Sequence, residues 1–354
     1  MRRQRPRAYK IAALFRRFPR LSSALVGVIL SLLLIAAVEG IGHLVLRWQA
    51  PSERIMHPEN WTASSLASEM FAVGGEVVYD VTYTMDDQFR RRTVPDNADA
   101  ARVLLFFGCS YTFGQGVADR ETLPSNVAQR APEVRVLNYA FMGQGTQHMY
   151  TRLLDEWTLQ DAKPEATDLV YVFIAPHVAR VIGSMRVVTG WGADFPWFEL
   201  DNQGGLAARG TFRNLPESRR WFYNLMDGEA YLLLFRADIP FSLKEADYRL
   251  AAKLIEESRE IFFEKVPGGR FTVVVYPAKP NELAEYQAVI PHLQAAQIDF
   301  IDYSELFIGD PEFDQLFYAE DRHPTALAHE RLAAKLVEDL QLTPTEPTVL
   351  GASE

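Results

Sequence analysis

The chain has 354 residues, 48% of them hydrophobic and 23% charged, with a formal net charge of −10. That is the composition of a globular protein long enough for one large domain or two modest ones. Its single cysteine, Cys109, excludes an intrachain disulfide and a cysteine-based zinc site.

The charge is unevenly spread. Residues 1–20 carry eight Lys/Arg and no acid, which leaves 28 basic against 46 acidic residues elsewhere, a net charge of −18. A surface that acidic repels phosphate backbones, so nucleic acid is not an expected partner. The basic block runs into "LSSALVGVILSLLLIAAVEGIGHLVLRW", where Leu21 to Val38 carry no charge. A bilayer span needs about 20 apolar residues, and this stretch reaches that length if Glu39 lies near the far interface, with Trp48 as an interfacial anchor. The expectation is a basic cytoplasmic tail (1–20) and a single-pass signal-anchor helix (21–46) in the inner, cytoplasmic membrane. The positive flank then leaves the rest of the chain on the extracytoplasmic, periplasmic side. A cleaved secretory signal is the rival, and "LIAAVEG" lacks the small-residue cleavage site it needs.

Residues 47–100 read as a connector with a β-hairpin, because "EVVYDVTYTMDDQFRRRTV" alternates and is β-branched. From Ala101 the pattern becomes α/β, over a domain expected to span 101–342. "RVLLFF", "EVRVLNYA", "DLVYVFIA", "RFTVVVYP" and "IDFIDYS" are short apolar runs, as expected of strands buried on both faces. Between them, "TLPSNVAQRA", "TQHMYTRLLDEWTLQ", "ADYRLAAKLIEESREIFFEKV", "NELAEYQAVIPHLQAA" and "PTALAHERLAAKLVEDLQ" have helical periodicity. The alternation implies a parallel sheet with helices on both faces. Residues 181–246, rich in Trp, Phe and Gly, read as an insertion over the carboxyl ends of the strands, where ligands bind in such sheets. Residues 343–354 read as a flexible tail.

The first strand ends on a small, hydroxyl-bearing corner, "LLFFGCSYTFGQGV". It lacks the Gly-Lys-Ser/Thr of a P-loop, and it does not fit G-x-G-x-x-G or the G-x-S-x-G elbow. Ser110 is either a turn serine or a nucleophile, and a nucleophilic serine needs a base. "YAEDRHPTALAHERLAAKL" supplies Asp321 and His323, two residues apart. In an extended stretch such a pair points the same way, so Asp321 can hold one imidazole nitrogen and leave the other for Ser110. Asp321 and His323 also suit the cap of the last helix. A metal site of Asp321, His323 and His329 lacks a further ligand from another element. Cys109 is the rival nucleophile, but its neighbouring position turns it elsewhere, into the core.

"FFGCSYTFGQGV", "VLNYAFMGQGT" and "DRHPTALAHERLA", in that order over residues 100–340, resemble the SGNH/GDSL hydrolases, in particular their membrane-anchored bacterial branch. The resemblance implies a flavodoxin-like three-layer α/β/α fold and hydrolysis or transfer of ester-linked acyl groups, without metal or organic cofactor. It implies Ser110 as nucleophile, His323 as base and Asp321 as its orienter. The backbone N–H groups of Ser110 and Gly143 are then the oxyanion donors. Asn138, from the second block, and Arg180 are candidate substrate-binding residues. Two departures stand out. Cys109 replaces the usual Asp before the serine, and the usual oxyanion Asn of the third block is missing from "FIAPHVAR", where His177 stands as its candidate substitute. The implied partners are an ester-bearing substrate, with acetylated surface glycan as the suggested class, and a membrane acyl-donor protein. The rival function is a non-catalytic binding or assembly protein at the membrane, which the two departures would suit.

Overall fold

The computed structural model describes residues 19–49, 51–56, 66–235 and 237–342. The basic tail up to residue 18 and the C-terminal tail from 343 lie outside the described residues. Chain contacts define two compact units. One joins Met1–Ala50 to Met226–Asp238, and the other holds Pro51–Leu225 with Ile239–Glu354.

The first unit is built on helix α1 (Pro19–Trp48), whose stretch Ser23–Trp48 has mean hydropathy 2.5 and is long and apolar enough to cross a membrane. That one N-terminal apolar helix suits a signal anchor or a signal peptide alike. Its partner within the unit is a short helix, Ala230–Leu234.

In the second unit the chain first makes an antiparallel sheet of β1 (Ser52–Met56), β2 (Leu66–Val73) and β3 (Glu76–Thr84), in that order. The stretch expected to be a connector with a hairpin is thus a three-stranded sheet. A parallel sheet follows, from β4 (Arg102–Phe107), β5 (Val134–Asn138) and β6 (Thr167–Phe173) through β9 (Arg270–Val275) to β10 (Phe300–Asp302). An antiparallel pair, β7 (Pro196–Leu200) and β8 (Leu206–Thr211), lies in the interrupting segment.

The order β5-β4-β6-β9-β10, with every pairing parallel, is the 2-1-3-4-5 order of flavodoxin-like sheets. This is the α/β architecture expected from the alternating runs. Its central strands are legible because Val103 to Phe107 and Leu169 to Phe173 are each at most 2% exposed, so both faces demand apolar side chains. Helix α3 (Leu123–Arg130) packs on α7 (Ala326–Asp339), while α4 (Thr146–Leu154) and α5 (Pro176–Val181) pack on α6 (Glu245–Lys265). These two groups form the outer layers.

Two helical expectations shorten. The run after Thr146 stops at Leu154, because Asp155 turns extended and its Oδ1 accepts the Trp157 N–H at 3.0 Å. The run at 281–296 splits into Leu283–Gln287 and Ile290–Ala295, with Pro291 at the start of the second piece, where a missing N–H is tolerated. The strand order reverses between β4 and β6, and the crevice at such a switch point is where ligands bind.

Candidate active site

Ser110 opens helix α2 (Ser110–Phe113) directly after β4 and is 5% exposed. Cys109, the residue before it, is fully buried in the main core, so its thiol does not share the serine's outlook. Asn138, at the end of neighbouring β5, stitches this corner to the next loop. Its Nδ2 donates to Thr112 O at 3.2 Å, and its Oδ1 accepts the Ala140 N–H at 3.1 Å. Both ends of that amide therefore serve backbone.

The loop before α7 brings the other two residues in. His323 Nε2 lies 2.8 Å from Ser110 Oγ, and His323 Nδ1 lies 2.9 Å from Asp321 Oδ2. The local geometry differs from the extended pair expected from the spacing. Asp321 Oδ1 accepts the backbone N–H of His323 at 3.0 Å, and Arg322 between them has φ 70, in the left-handed region. A tight turn, not a strand, therefore points both side chains one way. Tyr318 closes the turn, donating its N–H to His323 O at 2.9 Å, and Tyr111 Oη donates to Arg322 O at 3.0 Å.

Asp321 is 4% exposed at its side chain and has two further donors, both from the antiparallel sheet. Tyr79 Oη on β3 donates at 2.8 Å, and Arg54 Nη2 on β1 donates at 3.2 Å. Burial pushes the Asp321 carboxyl up. The hydrogen bonds and charge of His323, with the Tyr79 bond, outweigh it and hold the group at about 2. Asp321 is therefore ionised at neutral pH.

Behind it lies a second carboxylate, Glu69 on β2, fully buried. Glu69 accepts from Tyr83 Oη at 2.6 Å and Gln115 Nε2 at 2.7 Å, and it pairs with Arg54; Tyr79 Oη, whose one proton goes to Asp321, lies 3.2 Å away. Three donors satisfy a buried carboxylate that would otherwise be costly. Burial, Glu69 and Asp321 together raise the Tyr79 phenol far above its ordinary value, so it stays a donor.

The serine loop has its own brace. Arg91 is 1% exposed, and its guanidinium donates to Phe113 O at 2.9 Å, Val117 O at 2.6 Å and Gly114 O, while Nε meets Asp119 Oδ1 at 3.1 Å. An isolated antiparallel bridge joins Arg91 to Asn138.

Gly143 has φ 76, a conformation that favours glycine, and a Cβ there would lie 2.9 Å from Trp191 Nε1. An aromatic residue of the interrupting segment thus stands against this loop. Arg180 reaches the same loop, donating from Nη1 to Gln144 O at 2.5 Å. Among the described residues, neither the Ser110 nor the Gly143 N–H meets an acceptor.

His177 is fully buried on α5. Its Nδ1 lies 2.7 Å from Tyr171 Oη, which in turn lies 2.8 Å from Thr146 Oγ1. Its Nε2 has no partner among the described residues. Burial, with the charges of Arg180 and His148, holds this imidazole well below its ordinary value, so it is neutral. If Tyr171 donates to Nδ1, then Nε2 carries the proton and is an orphan donor.

His329 is also fully buried, and burial, with Arg91 and His323, lowers it to about 3. No cluster of three or more His, Cys, Asp or Glu with metal-holding geometry occurs among the described residues.

The residues missed in the sequence are Arg54, Glu69, Tyr79 and Arg91. One signal was present: Glu69 lies in phase with Ala67 and Phe71 on the buried face of β2. A carboxylate on the apolar phase of a strand needs a dedicated set of donors.

No family model matches the chain, and no curated protein matches it. Among solved structures, it is similar to the lipase/acylhydrolase from Enterococcus faecalis, with TM-score 0.40 and 17% identity over 69% of this chain and 99% of that one. It is similar to a member of the lipolytic protein G-D-S-L family from Veillonella parvula, with TM-score 0.39 and 14% identity over 68% and 98%. A catalytic mutant of an acetylxylan esterase from Geobacillus stearothermophilus matches with TM-score 0.40 and 14% identity over 70% and 98%. These are similarities of chain path at low identity. The chemistry of this site stands on its own distances.

Proposed function

We propose that the chain is a serine esterase or O-acyltransferase of SGNH type, held at the inner membrane by α1 with its α/β unit on the extracytoplasmic side. The observation that carries this reading is the continuous relay from Ser110 Oγ through both nitrogens of His323 to an ionised Asp321.

In this reading His323 Nε2 takes the Ser110 proton as Oγ attacks an ester carbonyl. Asp321 fixes the tautomer through Nδ1 and balances the imidazolium that forms. The N–H groups of Ser110 and Gly143, both without another acceptor, bind the oxyanion. With Tyr171 donating to Nδ1, the buried Nε2–H of His177 is left without a protein partner among the described residues, which suits it to serve as a third donor in place of the usual amide. The imidazolium then protonates the leaving alkoxide, and an acyl-serine remains. Water or a glycan hydroxyl, deprotonated by His323, attacks that ester; the bond from the acyl carbon to Ser110 Oγ breaks, and the imidazolium returns its proton to Oγ. Arg180, partly exposed beside the Gly143–Gly145 loop, is suited to an anionic group of the substrate.

The test is a fluorophosphonate probe and an activated acetyl ester on the purified full chain, read by intact mass and turnover. Labelling that survives Cys109→Ala and vanishes in Ser110→Ala and His323→Ala is the expected result. A folded protein without labelling or turnover would overturn catalysis in favour of a binding or assembly role.

A further inference from the structure

Helix α1 is exposed along most of its length, apart from one stripe. Glu39, Gly42 and Leu46 are shielded while their neighbours stand open. The positions i, i+3 and i+7 share one helical face. The chain returns to that face far along the sequence. Ala230, first residue of the short helix Ala230–Leu234, donates its backbone N–H to Glu39 Oε2 at 2.7 Å. A Cβ on Gly42 would lie 2.7 Å from Ala230 Cβ and 3.3 Å from Leu234 Cδ1, so glycine is what lets the two backbones approach. Small residues at the contact are how helices associate in lipid.

The location of this contact is informative. With the apolar stretch running Ser23–Trp48 and Trp48 at the interface, Glu39 lies about 13 Å inside it at 1.5 Å rise per residue, deeper than the far-interface position expected from the sequence. An acid at that depth is costly unless partnered, and a backbone N–H in hydrocarbon must be satisfied by protein. One bond gives the Ala230 N–H an acceptor and one oxygen of Glu39 a donor; His43 Nε2, one turn on, lies 3.9 Å from that same oxygen, and Oε1 has no hydrogen-bond partner among the described residues. The other side of the returning segment is apolar and open: Leu233 is 44% exposed and Phe235 81% exposed. These side chains continue the apolar surface of α1, which is itself unburied.

We propose that residues 229–235 form a lipid-facing strap, docked on Glu39 and Gly42 and covered on its outer side by the acyl chains of the bilayer. This rests on α1 spanning the membrane and extends it: α1 is a retained structural partner, because removing it as a leader would strip Ala230 of its acceptor.

The test uses the full chain in phosphatidylcholine nanodiscs carrying nitroxide at mid-chain. A fluorophore is placed on a single introduced cysteine, since native Cys109 is fully buried. Labels go at Phe235→Cys and Leu233→Cys in the strap, Leu33→Cys in α1 and Glu338→Cys on the exposed surface of α7. Quenching by lipid at 233 and 235 should match that at 33 and exceed that at 338 several-fold, as lipid contact requires. Gly42→Leu, which fills the contact, should lower quenching at 235 several-fold and leave 33 unchanged. A label at 235 as open to aqueous iodide as 338, with 33 still quenched by lipid, would overturn the strap and leave the anchor standing. A label at 235 shielded from both quenchers would mean a protein cover such as a second copy, and would overturn the lipid assignment. An intact mass lacking α1, or a label at 33 open to iodide, would remove the anchor and the strap with it.

Discussion

The parallel sheet β4–β10 and the antiparallel sheet β1–β3 relate to the site in opposite ways. The parallel sheet presents Ser110 and the Gly143 loop from loops at its carboxyl edge, as open α/β sheets do, and the middles of its central strands are apolar and buried. The antiparallel sheet presents none of the relay residues. It places Arg54, Glu69 and Tyr79 behind Asp321, and the stretch following it places Arg91 under the serine loop. The parallel sheet carries charges at the opposite, amino end, where Arg102 and Arg270 hold Asp168, and its apolar middle offers no donor to Asp321. Holding an anion such as Asp321 in one position takes aimed donors, and those come from the polar sheet.

That contrast can be broken at either side, and the largest effect belongs to the parallel sheet. Ser110→Ala should lower turnover of an activated ester by about 10⁴-fold or more with the fold intact, and adding His323→Ala should cost little further, since the pair acts as a unit. Steady-state kinetics of the single and double variants check this; additive losses would separate the two residues. Next comes His177→Ala, expected to lower kcat about 100-fold at unchanged KM, the loss of one oxyanion donor. A change confined to melting temperature would make His177 a packing residue of α5.

On the polar side, Arg91→Ala should destabilise the fold by about 3 kcal/mol, because it leaves Asp119 and three loop carbonyls without their cation. Urea unfolding measures it. Arg54→Gln should lower kcat/KM by about tenfold, the worth of one hydrogen bond to a charged group. Steady-state kinetics measure it, and an unchanged kcat/KM with a lowered melting temperature would leave Arg54 a purely structural residue.

The smallest effect is on pH stability. Asp321 is held at about 2 in the folded chain, below its ordinary 3.8. Its contribution of roughly 2 kcal/mol is present above the ordinary value and is lost as pH falls from about 4 towards 2. Asp321→Asn should flatten that part of the stability curve; an unchanged slope would assign the acid sensitivity to other carboxylates.

The same contrast explains what could be read without coordinates. Four of the five parallel strands were legible since burial writes an apolar run into each, while β10, at the sheet edge, is at most half-buried. Asp321 and His323 were legible as a pair because their spacing is local, whereas Ser110, 213 residues from His323, stood out only as the small hydroxyl-bearing corner after β4. The run "RRR" at 90–92 was not, since it resembles a solvated face. Yet Arg90 is buried on Asp86, Asp161 and Tyr139, and Arg91 on the carbonyls of the serine loop. Those partners lie up to 71 residues away, and no local pattern names them. Asp321 bonds Arg54 across 267 residues.

Local chemistry in the chain was therefore enough to mark an apolar N-terminal helix, an α/β alternation, a candidate serine corner and a neighbouring Asp-x-His pair, but not the tight turn that aims that pair. Periodicity and short spacing encode what neighbours along the chain do to one another. Only folding decided that Tyr79 and Arg54 would hold the acid, that Arg91 would be buried, and that Ala230 would find Glu39. A hydrogen bond needs its partners within about 3 Å, and for residues this far apart in sequence only the tertiary fold sets that distance.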